Sequence, residues 1–154
     1  MISNLLRGLS VALVLLNSLS SLALAKERTE QIHVVEHAAG DTTNRVGPND
    51  DNTGDILTFL NDIYDSGDTA KIGSDLGFCI RVAVGKAYHC VWSTSLAAGQ
   101  ITVQGSFLDS SDSVLSVTGG TGDYADVRGE MLLHARDAKG TEYDFSYTLH
   151  HSDP

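Results

Sequence analysis

Leu115-Ser116-Val117-Thr118-Gly119-Gly120-Thr121-Gly122-Asp123-Tyr124-Ala125-Asp126-Val127-Arg128-Gly129-Glu130 is the most patterned segment of this 154-residue chain. A short β-rich run meets three glycines in four positions, and a second extended run follows. The glycines do not form a G-x-G-x-x-G loop, because Ala125 stands where the last glycine belongs and no helix-periodic segment follows. The segment therefore reads as strand, tight reversal and returning strand, with glycine supplying backbone angles that other residues avoid.

The segments around it carry the same period-two signature. Thr141 to His150 alternates most sharply, with Tyr143, Phe145, Tyr147 and Leu149 on one face and Glu142, Asp144, Ser146, Thr148 and His150 on the other. Gly99 to Phe107 places Ile101, Val103 and Phe107 together. Asp55 to Asn61 puts Leu57, Phe59 and Asn61 on one face and Ile56, Thr58 and Leu60 on the other. Gln31 to His37 groups Ile32, Val34 and Glu36 against His33, Val35 and His37.

Gly77–Val84 and Lys86–Leu96 read as a hairpin about a two-residue turn at Val84-Gly85. That register sets Cys79 opposite Cys90, where an antiparallel pair suits a disulfide. Arg81, Tyr88 and Trp92 share the cysteines' face, and Phe78, Ile80 and Val82 take the other. Seven or eight strands joined by short turns, with no helix-periodic segment after residue 25, indicate an antiparallel barrel or sandwich.

Upstream, Arg7 precedes an apolar run from Leu9 to Leu16, and Ala23-Leu24-Ala25 has the small-residue pattern of a cleavage site. Residues 1–25 read as a secretory signal peptide, leaving 26–154 as one domain, secreted to the extracellular medium or the periplasm, with no membrane association after cleavage. A two-cysteine chain sent to an oxidising compartment is expected to bridge them. The formal charge is −10, and loss of Arg7 makes it more negative, so nucleic acid and anionic membrane surfaces are repelled.

Other chemistries find little support. Asn49 to Gly54 echoes a calcium loop but has Leu60 where the bidentate glutamate belongs. His150 and His151 are adjacent, which sends their side chains to opposite sides of a strand, and His89 and His134 lie in no ligand-spaced motif, so no metal is expected. No G-x-S-x-G elbow occurs, which leaves an acyl-transfer hydrolase unsupported. Arg81 and Arg128 either recognise a carboxylate in a pocket or pair with acids at a rim.

Taken in order, Gly54-Asp55-Ile56-Leu57-Thr58-Phe59-Leu60-Asn61, Ile63-Tyr64-Asp65, Gly77-Phe78-Cys79, Ile101-Thr102-Val103-Gln104-Gly105 and Val117-Thr118-Gly119-Gly120-Thr121-Gly122 resemble the successive signatures of allene oxide cyclases. The last, extended through Tyr124 and Val127-Arg128-Gly129, is equally similar to dirigent proteins and their bacterial relatives. The resemblance runs from Gly54 to about Leu149. It implies a closed eight-stranded antiparallel barrel, assembled as a homodimer or homotrimer, that takes a small hydrophobic molecule into its interior and needs no cofactor. The implied function is an isomerase-type cyclase or stereochemical guide that steers cyclisation or coupling of a reactive apolar intermediate. A non-catalytic secreted barrel, binding a small hydrophobic ligand or a protein partner, is the alternative.

Residue by residue, Asn61 matches the asparagine of the family's F-x-N motif and is a candidate contact to the reacting oxygen; otherwise it is a hydrogen-bonding strand-end amide. A carboxylate is expected from the first strand, where one alignment places His33 and a shifted register offers Glu36. Phe59, Phe107, Tyr143, Phe145 and Tyr147 are the candidate substrate-contacting residues, with Phe107 in the place of a pocket tyrosine. Cys79 matches the G-x-C cysteine, but a bridge to Cys90 would make it structural. The departures at the first strand and at Phe107 argue against the plant substrate. Asp126 stands where relatives have a small residue, which is expected to alter the pocket rim.

N-terminal sequencing of the exported protein should begin at or beside Lys26; a mature chain that retains Leu9–Leu16 would refute the signal-peptide reading.

Overall fold

A computed structural model describes residues 28–152. The expected signal peptide and cleavage position fall outside this range. Nine strands are present: β1 (Arg28–His37), β2 (Thr42–Asn44), β3 (Ile56–Tyr64), β4 (Lys71–Ala83), β5 (Ala87–Leu96), β6 (Gly99–Leu108), β7 (Ser113–Gly120), β8 (Arg128–Ala135) and β9 (Glu142–His151). Each hairpin neighbour pairs antiparallel, β9 returns to β1, and β1 meets β3. The sheet thereby closes into an eight-stranded barrel, and β2 is a short extra strand along the upper part of β3.

Closure is uneven. β1 pairs with β9 along its whole length but with β3 only through Val35↔Tyr64, Glu36↔Ile63 and His37↔Asp62. Above this short seam β3 is bordered by β2, at Thr42↔Thr58 to Asn44↔Ile56.

The alternation read from the chain decides what faces inward. One half of the interior is packed solid with Val34, Ile63, Ile101, Leu115, Met131, Tyr147 and Leu149, all essentially inaccessible. Apolar burial of this kind is worth roughly 1.5 to 3 kcal/mol per large side chain. That end is plugged by a 3-10 turn at Gly122–Tyr124, which carries the buried Tyr124 ring. The glycine segment therefore serves the closed end: Gly122 adopts φ 60°, and Gly119, at φ 143°, sits where the β6–β7 register shifts. Asp126 follows this turn, so the expected change at the pocket rim does not arise there; the open end of the barrel is the opposite one.

β4 departs from expectation. It begins at Lys71 rather than Gly77, and its polarity is inverted. Ile72, Leu76, Phe78, Ile80 and Val82 point out and are 39 to 51% exposed, whereas Asp75, Cys79 and Arg81 are buried. Leu60 and Ile56 of β3 extend the exposed apolar face. The face that carries Phe78, Ile80 and Val82 is thus the outer one in the single chain, and it is where an assembly of copies would have apolar surface to bury. The β4–β5 turn is also one residue longer than read, because the register shifts between Arg81 and Ala83, and Gly85 turns the chain at φ 65°.

The shift lies beyond the cysteines. Cys79 and Cys90 remain directly opposite and are joined by a disulfide. Replacing both with serine is expected to lower stability by about 2 to 3 kcal/mol through the entropy of a short closed loop. Urea denaturation followed by the fluorescence of Trp92, the single tryptophan, would measure this, and an unchanged midpoint would show that the bridge contributes nothing.

Candidate active site

Three adjacent strands bring polar side chains to one level of the barrel. The seam sets Glu36 across from Ile63; Asn61 is two residues back along β3 on the same inward face; and Asn61 faces Asp75 of β4. Because directly opposed antiparallel residues point to the same side, Glu36, Asn61 and Asp75 must all project inward. They are 6%, 3% and 0% exposed, respectively.

Asn61 is fully engaged. Its amide nitrogen donates to Glu36 Oε1 at 2.7 Å and to Asp41 Oδ1 at 2.9 Å, and its carbonyl oxygen accepts from the Gly40 backbone N–H at 2.7 Å. Gly40 lies so close to the Leu60 carbonyl that a Cβ would have no room. Asn61 thus pins the segment after β1 over the region that the short seam leaves open. It organises carboxyls and loop rather than offering a free amide to a ligand.

Asp75 is the reverse case: neither carboxyl oxygen has a hydrogen bond of acceptable geometry. Its neighbour is the Glu36 carboxyl, close enough that a proton on one is shared with the other. Burial pushes Glu36 up to about 7, against the lowering pull of Asn61, and burial together with the Glu36 charge pushes Asp75 up to about 9. The two titrate as a pair. At neutral pH such a pair holds a proton that can be given and a carboxylate that can take one back.

Above the carboxyls lies a cavity of about 50 Å³, walled by Leu57, Phe59, Trp92, Phe107, Leu133, Tyr143 and Phe145 and floored by Glu36, Asp41, Asn61 and Asp75. The rings interlock: Trp92 meets Phe59 edge-on at 6.0 Å and Phe145 at 5.7 Å, while Phe107 meets Tyr143 at 6.0 Å. Gly77 permits this arrangement, since a Cβ there would collide with Trp92. The Trp92 indole nitrogen is buried without an acceptor of good geometry, although Tyr147 lies near it. Burial and nearby carboxylates push the Tyr143 hydroxyl up to about 12.

The structure brings Glu36, Asn61, Phe59, Phe107, Tyr143 and Phe145 together around this space. Tyr147 is elsewhere: it is wholly buried beneath the floor, hydrogen-bonded to Thr94 at 2.8 Å, and does not line the cavity. His33 faces outward, bonded to Ser146 and 3.3 Å from Asp144, so Glu36 is the first-strand residue in the pocket. Arg81 sits at the rim, held by Asp51 and Asp109 and stacked 3.6 Å over Tyr88; Arg128 donates to the Val127 carbonyl. The calcium-like echo is an Asp55-centred turn, with Asp55 accepting from the Val46 and Asn52 backbone N–H groups.

Asp75 and Asp41 were not anticipated. Extending the Cys79–Arg81 face backward by twos gives Gly77 and then Asp75, so the inward position of Asp75 is implicit in the alternation. Asp41 lies in a loop, where no periodicity reports direction. Among the described residues one group of metal-capable side chains, His37, Asp68 and Glu142, comes within ligand reach. Arg136 reaches both acids and the Tyr64 ring stacks on His37, which makes the group an outer-surface ion-pair network.

A closed antiparallel barrel with an aromatic-walled cavity over buried carboxyls is the class of structure that the fold and the site define. The chain belongs to the allene oxide cyclase family, whose model matches residues 33–149. That match reaches back across β1 and β2, well before the Gly54 start of the motif series. Among solved structures, pyocyanin demethylase is 20% identical at a TM-score of 0.66, covering 77% of this chain and 99% of that one. A pterocarpan synthase dirigent protein is 11% identical at a TM-score of 0.67, covering 86% and 95%. An exo-specific intermolecular Diels-Alderase is 14% identical at a TM-score of 0.67, covering 81% and 98%. At these identities the likeness concerns the fold.

The carboxyl pair makes stability pH-dependent. Both groups are raised above the ordinary carboxyl values of 4.5 and 3.8, so folding takes up protons between about pH 4 and the raised values. The pair's contribution to stability is therefore fully present below this interval and is lost as pH rises through it. Urea midpoints should drop between pH 5 and pH 8 in the native protein and drop less in Asp75→Asn; equal slopes would show that the pair is not perturbed.

Proposed function

We propose that this chain is an isomerase-type cyclase or coupling guide: it folds a small, largely apolar reactive intermediate against the aromatic wall and uses the Glu36–Asp75 pair for proton transfer. One observation carries the reading. Two carboxyls buried face to face, one with no donor but a proton shared with the other, are costly to the fold, yet they floor a cavity instead of being replaced by apolar packing. Groups perturbed in this way cluster where chemistry is done. The family and the Diels-Alderase and dirigent neighbours agree with cyclisation or coupling as the reaction type.

In this reading the protonated member of the pair donates to an oxygen of the intermediate as its C–O bond opens, and the carboxylate left behind faces the cationic carbon that develops. Ring closure consumes that charge, and the same pair recovers its proton from the product, so the reaction is a net isomerisation. Asn61 is a positioning residue, because its donors are spent on Glu36 and Asp41. The wall of Phe59, Trp92, Phe107 and Phe145 restricts the chain conformation, and restriction of this kind lowers a cyclisation barrier without any covalent step.

The same reading includes export through residues 1–25. It favours a catalytic barrel over a purely binding one, because a passive apolar site gains nothing from a coupled acid pair.

A racemic allene oxide supplied as a neutral ester should be cyclised with a product enantiomeric excess above buffer. Glu36→Gln and Asp75→Asn should each lower the rate on the order of 10²-fold, in the range typical for loss of a general acid or base. No excess over buffer would remove the cyclase reading. An excess unaffected by both substitutions would leave a stereochemical guide without acid–base help.

A further inference from the structure

Charge along the route into the barrel is one-sided. The cavity holds three acids, Glu36, Asp41 and Asp75, and none of its lining residues is lysine, arginine or histidine. Toward solvent it meets a second space of about 270 Å³ through the shared side chains Phe107, Leu133 and Tyr143. That outer space is lined by Asp109, Asp112 and Asp137 and again by no basic residue. Around the rim Arg81 is engaged by Asp109 and Asp51 and His134 meets Asp112 at 2.7 Å, while Lys139 stands between the lining residues Ala138 and Gly140 without being a lining residue itself.

Two further features point to a ligand rather than to a solvated acidic surface. Asp75 is wholly buried, lines the cavity, and has no donor besides a proton shared with the Glu36 carboxyl. The walls present the faces and edges of Phe59, Trp92, Tyr143 and Phe145, and aromatic faces attract a cation in a desolvated site. A carboxylate-bearing molecule would meet like charge from the mouth to the floor and would find no counter-ion there. A cationic head would meet acids at the mouth, rings along the walls and the negative charge of the Glu36–Asp75 pair at the floor.

We infer that the molecule this pocket selects is a flat apolar compound bearing a cationic nitrogen, an ammonium or a quaternised heteroaromatic ring, with that nitrogen directed at Glu36 and Asp75. This deepens the proposed function and rests on it, since it names the substrate class of the same cavity. It also separates this barrel from any relative that takes a free fatty acid derivative, because the carboxylate of such a substrate has no partner here.

The test uses three probes that share one ring system and differ in charge: 1-naphthylmethylammonium, 1-naphthamide and 1-naphthoate. Isothermal titration calorimetry on the full-length mature protein at pH 7.5 measures each. The expected order is ammonium tighter than amide by at least about tenfold, and naphthoate weaker than amide by a similar factor, in keeping with unscreened charge at close range. The double variant Glu36→Gln/Asp75→Asn, which removes the charge the pair shares, should reduce the ammonium-over-amide preference by about tenfold; should that variant fail to fold, the three-probe order on the native protein still decides. Naphthoate binding as tightly as the ammonium, or amide binding as tightly, would overturn the inference and leave the proposed function standing. Absence of binding by all three would overturn both, because the interior would then not be a ligand site.

Discussion

The hydrogen-bond set of Asn61 is the interaction on which the site depends. β1 and β3 touch through three residue pairs, too few to close the upper barrel by backbone bonds alone. Asn61 spans the remainder with three bonds, to Glu36, to Asp41 and to the Gly40 backbone. It holds the loop that covers the pocket and restrains two of the three acids inside it. A side chain in this role is worth more than one hydrogen bond, because its loss would leave the buried Glu36 carboxyl, the exposed Asp41 carboxyl and a backbone N–H without their donor or acceptor.

The division of the interior into two halves follows from where polar residues fall on the inward faces. The closed half carries Val34, Ile63, Ile101, Leu115, Met131 and Leu149, and its one notable polar contact, Tyr147 with Thr94, is satisfied internally. The open half carries large rings that leave space between them and one acid, Asp75, whose carboxyl has only the Glu36 carboxyl as partner. One half stabilises; the other is free to be specific. The disulfide belongs to the open half, where Cys79 lines the cavity as bridged sulfur and not as a thiol.

Much of this was legible in the chain. The inward faces of β3, β5, β6 and β9 follow from strict alternation, and so does the opposition of Cys79 and Cys90, because each of those strands has large apolar or aromatic residues on its inner face. β4 was not legible from Lys71 because its inner face reads Gly73, Asp75, Gly77, Cys79, Arg81 and its outer face is the apolar one. The usual sign of the pattern is reversed there, and a strand that follows Ser66-Gly67-Asp68-Thr69 and itself carries Gly73-Ser74-Asp75 looks like turn. The choice between His33 and Glu36 was a register question, and register in β1 is set by pairing with β9 and β3, which local composition does not report.

That reversal gives the cysteine bridge a meaning beyond stability. If β4 slipped by one residue against β5, every side chain would change faces: Leu76, Phe78, Ile80 and Val82 would enter the interior, and Asp75 and Arg81 would leave it. The apolar pattern of β4 taken by itself suits the slipped pairing, which the space Trp92 takes beside Gly77 opposes. In the slipped strand Cys79 would point away from Cys90, so the covalent bond excludes that alternative in the oxidised chain. Oxidation thus selects the less hydrophobic of two registers, and it is this register that puts an acid in the pocket.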